Sequence, residues 1–133
     1  MPFKTLLLCC RYIEHLREAL GSTDDDEEVK IRTVQVPISL NTSLMHLKLK
    51  DNDNACKLAG HVIEVDPSNP KAYYRRAQAY SAMGCHQEAM ADLKTAIKIS
   101  PQDKNLRTEF EKEKKTLEAK KEKNKQMYAK MFG

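Results

Sequence analysis

Asp66-Pro67-Ser68-Asn69-Pro70-Lys71-Ala72-Tyr73-Tyr74-Arg75-Arg76-Ala77-Gln78-Ala79-Tyr80 is the stretch whose reading decides the fold. It places a bulky residue, a small one and an aromatic at Tyr73, Ala77 and Tyr80. Ala89, Leu93 and Ala96 then repeat the theme as small, bulky, small, and Pro101 closes the unit. The pattern also occurs one unit earlier. Asp66-Pro67 falls on Ser100-Pro101, Asn41 on Arg75, Ser43 on Ala77, Ala55 on Ala89 and Val62 on Ala96. All these pairs share one offset. A period of about 34 residues marks a helix–turn–helix unit repeated along the chain. Small residues let two helices approach closely, and bulky ones fill the space between pairs. Stacked units of this sort form an extended surface that holds a partner.

The chain has 133 residues, enough for one small domain. Four Gly and five Pro are too few for a β-rich chain, and a 41% hydrophobic content suffices for a core. The net charge of +4 sits in one place. Residues 103–133 hold ten Lys/Arg against six Asp/Glu, so the remainder is neutral. That distribution argues against a nucleic-acid surface on the repeats. Cys9, Cys10, Cys56 and Cys85 include no CxxC pair, and the four His are scattered, which argues against zinc. The cysteines read instead as small helix residues in a reducing compartment. The run Leu6-Leu7-Leu8-Cys9-Cys10 is shorter than a signal-peptide core and ends at Arg11. No stretch approaches the roughly 20 apolar residues of a membrane span. These features predict a cytoplasmic protein without metal or cofactor.

Along the chain, residues 3–20 read as a helix, with Leu6, Cys10, Ile13 and Leu16 at helical spacing and Gly21 as a stop. Residues 21–35, opening Gly-Ser-Thr-Asp-Asp-Asp-Glu-Glu, lack an apolar stripe and read as a solvated acidic loop. They also lack the Gly and closing Glu of a calcium loop. Pro37 suits the first turn of the next helix, whose buried stripe is Leu40, Leu44 and Leu47. Residues 53–65, 70–83 and 86–99 follow as helices, with Asn69-Pro70 as cap and first-turn proline and Gly84 as a stop. From about residue 102 a long charged helix keeps a thin stripe of Leu106, Phe110 and Leu117. Its apolar end, Met127 to Phe132, is open to folding back, binding a partner or fraying. The expectation is an all-α fold. It divides into the second helix of a truncated repeat (1–20), an acidic loop (21–35), two complete repeats (36–101) and a basic capping helix with tail (102–133).

A repeat unit of this length with these residues is the signature of the tetratricopeptide repeat. The segment from Asp66 to Tyr80, with Ala91-Asp92-Leu93-Lys94, resembles the last repeat of the tetratricopeptide immunophilins. The tail Tyr128-Ala129-Lys130-Met131-Phe132 resembles the cyclophilin-40 type; the FK506-binding type ranks second. The resemblance runs from about Arg11 to Phe132, apart from the acidic loop. Members carry a peptidyl-prolyl isomerase domain ahead of the repeats. No room for one precedes Phe3, and residues 3–20 match only the second helix of the first repeat, so no catalysis is expected. Whether the chain is a truncated isoform or a fragment is open.

The resemblance implies a co-chaperone module that binds the acidic carboxyl-terminal peptide of the 90-kDa heat-shock protein. A carboxylate clamp does this in the family, and Asn41, Lys71 and Arg75 match it here. The clamp's other Lys and Asn belong to the helix this chain lacks. The residues also make sense by themselves. Lys71 and Arg75, four apart, lie on one face of one helix, and Asn41 is in register with Arg75 one repeat earlier. Arg offers a planar fork and Lys a point charge, both suited to carboxylates. The bland reading is a solvated helix face. Arg76 is expected to lie between helices or pair with an acid, and Tyr73, Tyr74 and Tyr80 to pack. Calmodulin is a lesser partner reading for the basic tail. The alternative function is a regulatory or structural fragment that associates through its first helix without binding peptide.

Overall fold

A computed structural model describes Arg11, Tyr12, His15, Glu18 and residues 25–133. The expected association through Leu6, Leu7, Cys10 and Ile13 lies outside these residues, as does nearly all of the expected helix over 3–20. From residue 25 the described chain forms five helices and no strand. They are α1 (Asp25–Lys48), α2 (Asn52–Val65), α3 (Pro70–Ala82), α4 (His86–Ile99) and α5 (Lys104–Phe132). Each packs on the next, and α1 also touches α3. The first helices of successive pairs therefore lie side by side.

The repeat period governs the helix ends. α2 and α4 start and stop one period apart, and so do the ends of α1 and α3. The two turns share one backbone form. The Asp51 N–H donates to the His46 carbonyl at 2.9 Å, and the Cys85 N–H to the Tyr80 carbonyl at 2.8 Å. This helix-ending motif needs one left-handed residue. Gly84 supplies it in the second turn with φ 82°. In the first turn Lys50 is forced to φ 60°.

The start of α1 departs from the sequence expectation. Residues 25–35 are helix, not loop, and Pro37 lies inside α1 rather than in its first turn. The register explains why. The position equivalent to the capping Asn69 is Gln35, which is not among the residues that cap well, so nothing stops the helix there. Asn69 accepts a hydrogen bond from the Lys71 N–H at 3.0 Å. Pro37 cannot donate to the Thr33 carbonyl, a loss of about 3 kcal/mol in a helix interior. Both residues are exposed, so water can satisfy that carbonyl.

The stripe on α1 also differs. Leu40 is buried, but Leu44 and Leu47 are only half-buried, while Gln35, Ser39, Thr42, Ser43 and His46 are buried. Hydrogen bonds satisfy Thr42, Ser43 and His46 on this face, while Gln35 Oε1 is buried without a partner among the described residues. Ser43 Oγ donates to the Ala55 carbonyl at 2.9 Å, and Thr42 Oγ1 to the Ile38 carbonyl at 2.8 Å. His46 Nδ1 lies 3.0 Å from Asp51 Oδ2. The apolar-stripe criterion does not find residues 25–35 because this start of α1 is outward-facing: Val29, Lys30, Arg32, Thr33 and Val34 are exposed and Gln35 is buried.

Elsewhere the core is alanine-rich. Ala55, Ala59, Ala72, Ala79, Ala89 and Ala96 have no exposed surface. Leu93 and Leu106 join Ala77, Ala89 and Ala96, with Tyr73, Tyr74, Tyr80 and Phe110 against them. Arg76 pairs with an acid. Its Nε and Nη2 donate to the two oxygens of buried Asp92 at 2.8 and 2.7 Å. The same guanidinium lies 5.9 and 5.8 Å from the Tyr73 and Tyr80 ring centres.

α5 has two unlike halves. Its first half packs on α4 through Leu106, Phe110 and buried Glu113. Glu113 accepts a hydrogen bond from Ser81 Oγ, and its other oxygen lies 2.6 Å from His86 Nδ1. From residue 118 every residue is exposed; Lys120 Nζ still reaches the turn at Gly84, and the helix continues to Phe132. Its apolar end neither folds back nor unwinds, and the Tyr128 and Phe132 rings stack at 6.2 Å.

Two stability outcomes follow. Lys50→Gly removes the left-handed penalty and should raise stability by about 1 kcal/mol in urea unfolding. Asp92→Ala strands the half-buried Arg76 and should lower stability by about 3 kcal/mol, whereas Lys123→Ala should stay within about 0.5 kcal/mol.

Candidate functional site: a groove between the first helices of the repeats

Asn41, Lys71 and Arg75 line one groove of about 780 Å³. α1 supplies Val36, Pro37, Leu40 and Asn41. α3 supplies Lys71, Tyr74 and Arg75, and the start of α5 adds Asp103, Asn105 and Leu106. Each of the three helices contributes both apolar and polar side chains to the lining. Contact between α1 and α3 brings Asn41 to the same opening as the two cations.

Local structure aims each group. The Asn69 cap and Pro70 start α3 abruptly, so Lys71 falls in its first turn and is exposed. Arg75 lies one turn later and is half-buried. Its Nη1 donates to Gln78 Oε1 at 3.2 Å, and its guanidinium lies 5.8 Å from the Tyr74 ring centre. These contacts hold the fork without spending its charge. Among the described residues no carboxylate pairs with Lys71 or Arg75. Two cations beside an uncharged amide, in a groove also lined by Val36, Leu40 and Leu106, suit a carboxylate attached to an aliphatic group.

Three contributors were not singled out from sequence. Tyr74 packs against the core and also lines the groove. Asp103 and Asn105 come from the start of the capping helix, where Asp103 Oδ1 accepts the Asn105 N–H at 2.9 Å. The period held a signal for the last of them, since Asn105 lies one full period beyond Lys71.

The electrostatics centre on Tyr74. Its hydroxyl is pushed above the usual 10.0, chiefly by desolvation and then by the nearby Glu109 carboxylate. Arg75 opposes the shift, and Asp103 adds to it. Among the described residues no three His, Cys, Asp or Glu side chains are placed to hold a metal, and no helix is long and apolar enough to cross a membrane. Cys56 and Cys85 are half-buried free thiols; Cys9 and Cys10 lie outside the described residues.

The tetratricopeptide-repeat family model matches residues 70–103, which span α3 and α4. Human peptidyl-prolyl cis-trans isomerase FKBP4 is 26% identical over 130 residues, 98% of this chain. The chain spans only 28% of the length of that relative. The C-terminal TPR-containing domain of a putative FK506-binding protein of Plasmodium falciparum superposes with a TM-score of 0.74 at 20% identity. That match covers 90% of this chain and 82% of the other. The second TPR domain of human RPAP3, solved in complex with the HSP70 peptide SGPTIEEVD, superposes with a TM-score of 0.57 at 30% identity, over 59% of this chain and 66% of that one.

The chain thus carries a tetratricopeptide-repeat domain related to the corresponding region of FKBP4. The matched segment is a protein-interaction fold, not a catalytic one. The cyclophilin-40 type expected from the tail is not supported; FKBP4 and the Plasmodium protein are of the FK506-binding type. A short terminal motif on an exposed helix was a weaker guide to kinship than the repeats. Calmodulin as a partner of the basic tail has no support among these relatives.

Tyr74 offers a pH test. Its folded-state pKa is raised, so its contribution to stability is complete below the unfolded value near 10.0 and is lost as pH rises through the folded value. Ultraviolet titration should show late tyrosine ionisation above pH 10 from Tyr74 and Tyr80, and Tyr74→Phe should remove the Tyr74 step. Glu109→Gln should move that step toward 10. A Tyr74 step unmoved by Glu109→Gln would mean the carboxylate does not face the phenol.

Proposed function

We propose that this chain is a non-catalytic peptide-binding module of a cytoplasmic co-chaperone. It captures the acidic carboxyl terminus of a heat-shock protein, with the 90-kDa class as first candidate. The observation that carries this reading is the convergence of Asn41, Lys71 and Arg75 on one groove with no described carboxylate already neutralising the cations. The RPAP3 relative, solved with a peptide ending Glu-Glu-Val-Asp, supports the same ligand chemistry. Lys71 and Arg75 grip the terminal carboxylate and Asn41 donates to it. Val36, Pro37, Leu40 and Leu106 shelter the penultimate aliphatic side chain. The reading assigns no proline-isomerase turnover to these residues.

The test is calorimetric titration of the chain with Met-Glu-Glu-Val-Asp. A hydrogen bond to a charged group contributes roughly 1.5–3 kcal/mol, so Arg75→Ala should weaken binding about tenfold or more. Lys71→Ala should weaken it similarly, and amidating the peptide's carboxyl terminus should abolish it. Added salt should reduce affinity, because the contacts are partly exposed charges. Lys123→Ala, on the isolated half of α5, should bind as the parent does. Equal affinity of the parent, Lys71→Ala and Arg75→Ala would remove the groove from consideration as the peptide site.

A further inference from the structure

The register that pairs Asn41 with Arg75 continues for one more step. Glu109 lies one full period beyond Arg75, on the packed half of α5. Equivalent positions on α1, α3 and α5 therefore carry an amide, a cation and an anion in turn. A second cavity of about 360 Å³ between α3 and α5 is lined by Tyr74, Gln78 and Glu109, among others. Tyr74 is shared with the first groove, and the Arg75–Gln78 hydrogen bond joins the two walls. The two cavities read as one track.

The acids along this track are not equivalent. Asp103 is engaged by the Asn105 N–H, and Glu113 by Ser81 and His86. Glu109 is half-buried and has no hydrogen bond or ion pair with any described residue. Lys112 shares the cavity lining but does not pair with it.

We propose that Glu109 receives a cationic side chain of the bound peptide, so the module selects acidic-ended peptides that carry Lys or Arg upstream. The inference rests on the peptide-binding reading above and adds a specificity residue to it. α3 and α5 are joined by Ser81 and Glu113, and both line the second cavity. Arg75 and Glu109 thus sit on neighbouring first helices about 10 Å apart, and an extended peptide advances about 3.3 Å per residue. The cation therefore falls about three to five positions before the terminal residue, within reach of a long side chain. Glu109 leaves the terminal carboxylate to Lys71 and Arg75.

Three synthetic peptides test this: Ser-Arg-Met-Glu-Glu-Val-Asp and two versions with the Arg replaced by Ala or Glu. At low salt the parent chain should bind the Arg peptide about threefold tighter than the Ala peptide, as expected of a partly exposed pair, and the Glu peptide more weakly still. Glu109→Gln should erase the ranking, and Glu109→Lys should reverse it. Glu111→Gln removes the same charge outside both cavities and should keep the ranking, which separates a local contact from net charge. If the parent binds all three peptides equally, or Glu109→Gln preserves the ranking, Glu109 is not the determinant while the groove stands. If the parent binds none of them, the peptide-binding reading fails and this inference fails with it.

Discussion

Side chains no larger than a methyl group set the distance between the helices, and the groove follows from that distance. Ala55, Ala59, Ala72, Ala79, Ala89 and Ala96 are wholly buried where one helix crosses the next. Each removes little apolar surface by itself, so the gain lies in the close approach that it permits. A larger residue at any of these positions would push a helix pair apart. Asn41, Lys71 and Arg75 sit on helices whose separation is fixed by such contacts. The groove is thus a consequence of packing on its far side.

Two adjacent arginines show how the packing and the groove divide the work. Arg76 points between α3 and α4, where both oxygens of buried Asp92 and two tyrosine faces satisfy it. Arg75, about 100° further round the same helix, faces the groove and is held by Gln78 and Tyr74. One guanidinium binds helix to helix, and the other stays available to an anion. Breaking the buried pair would leave a desolvated charge and loosen the helix that presents both clamp cations.

α5 extends the repeat and then departs from it. Through Glu113 it occupies the place of a third first helix, held to the ends of α3 and α4 by Ser81 and His86. That attachment brings Asp103, Asn105 and Glu109 alongside the peptide track. Beyond Leu117 every residue is exposed, and apart from Lys120 reaching the Gly84 turn the helix depends on its own charge pattern. The stripe that packs the first half is interrupted by Lys120, Lys121 and Asn124 before apolar residues return at Met127.

The sequence by itself determined the period, and with it most helix ends, the alanine contacts and the shared face of Lys71 and Arg75. A strict repeat requires equivalent residues to meet equivalent neighbours, so spacing alone carries that information. It also held the step from Asn41 to Arg75 to Glu109, although only the second cavity gave that step meaning. Tertiary structure decided three things. It showed that residues 25–35 are helical, an outward-facing start of α1 that no apolar stripe marks. It chose Asp92 for Arg76. It also turned Tyr74 from a packing residue into the ridge between two cavities. Periodicity reports which residues share a face of one helix. Whether that face meets a carbonyl, a carboxylate or open water is set by neighbours distant along the chain.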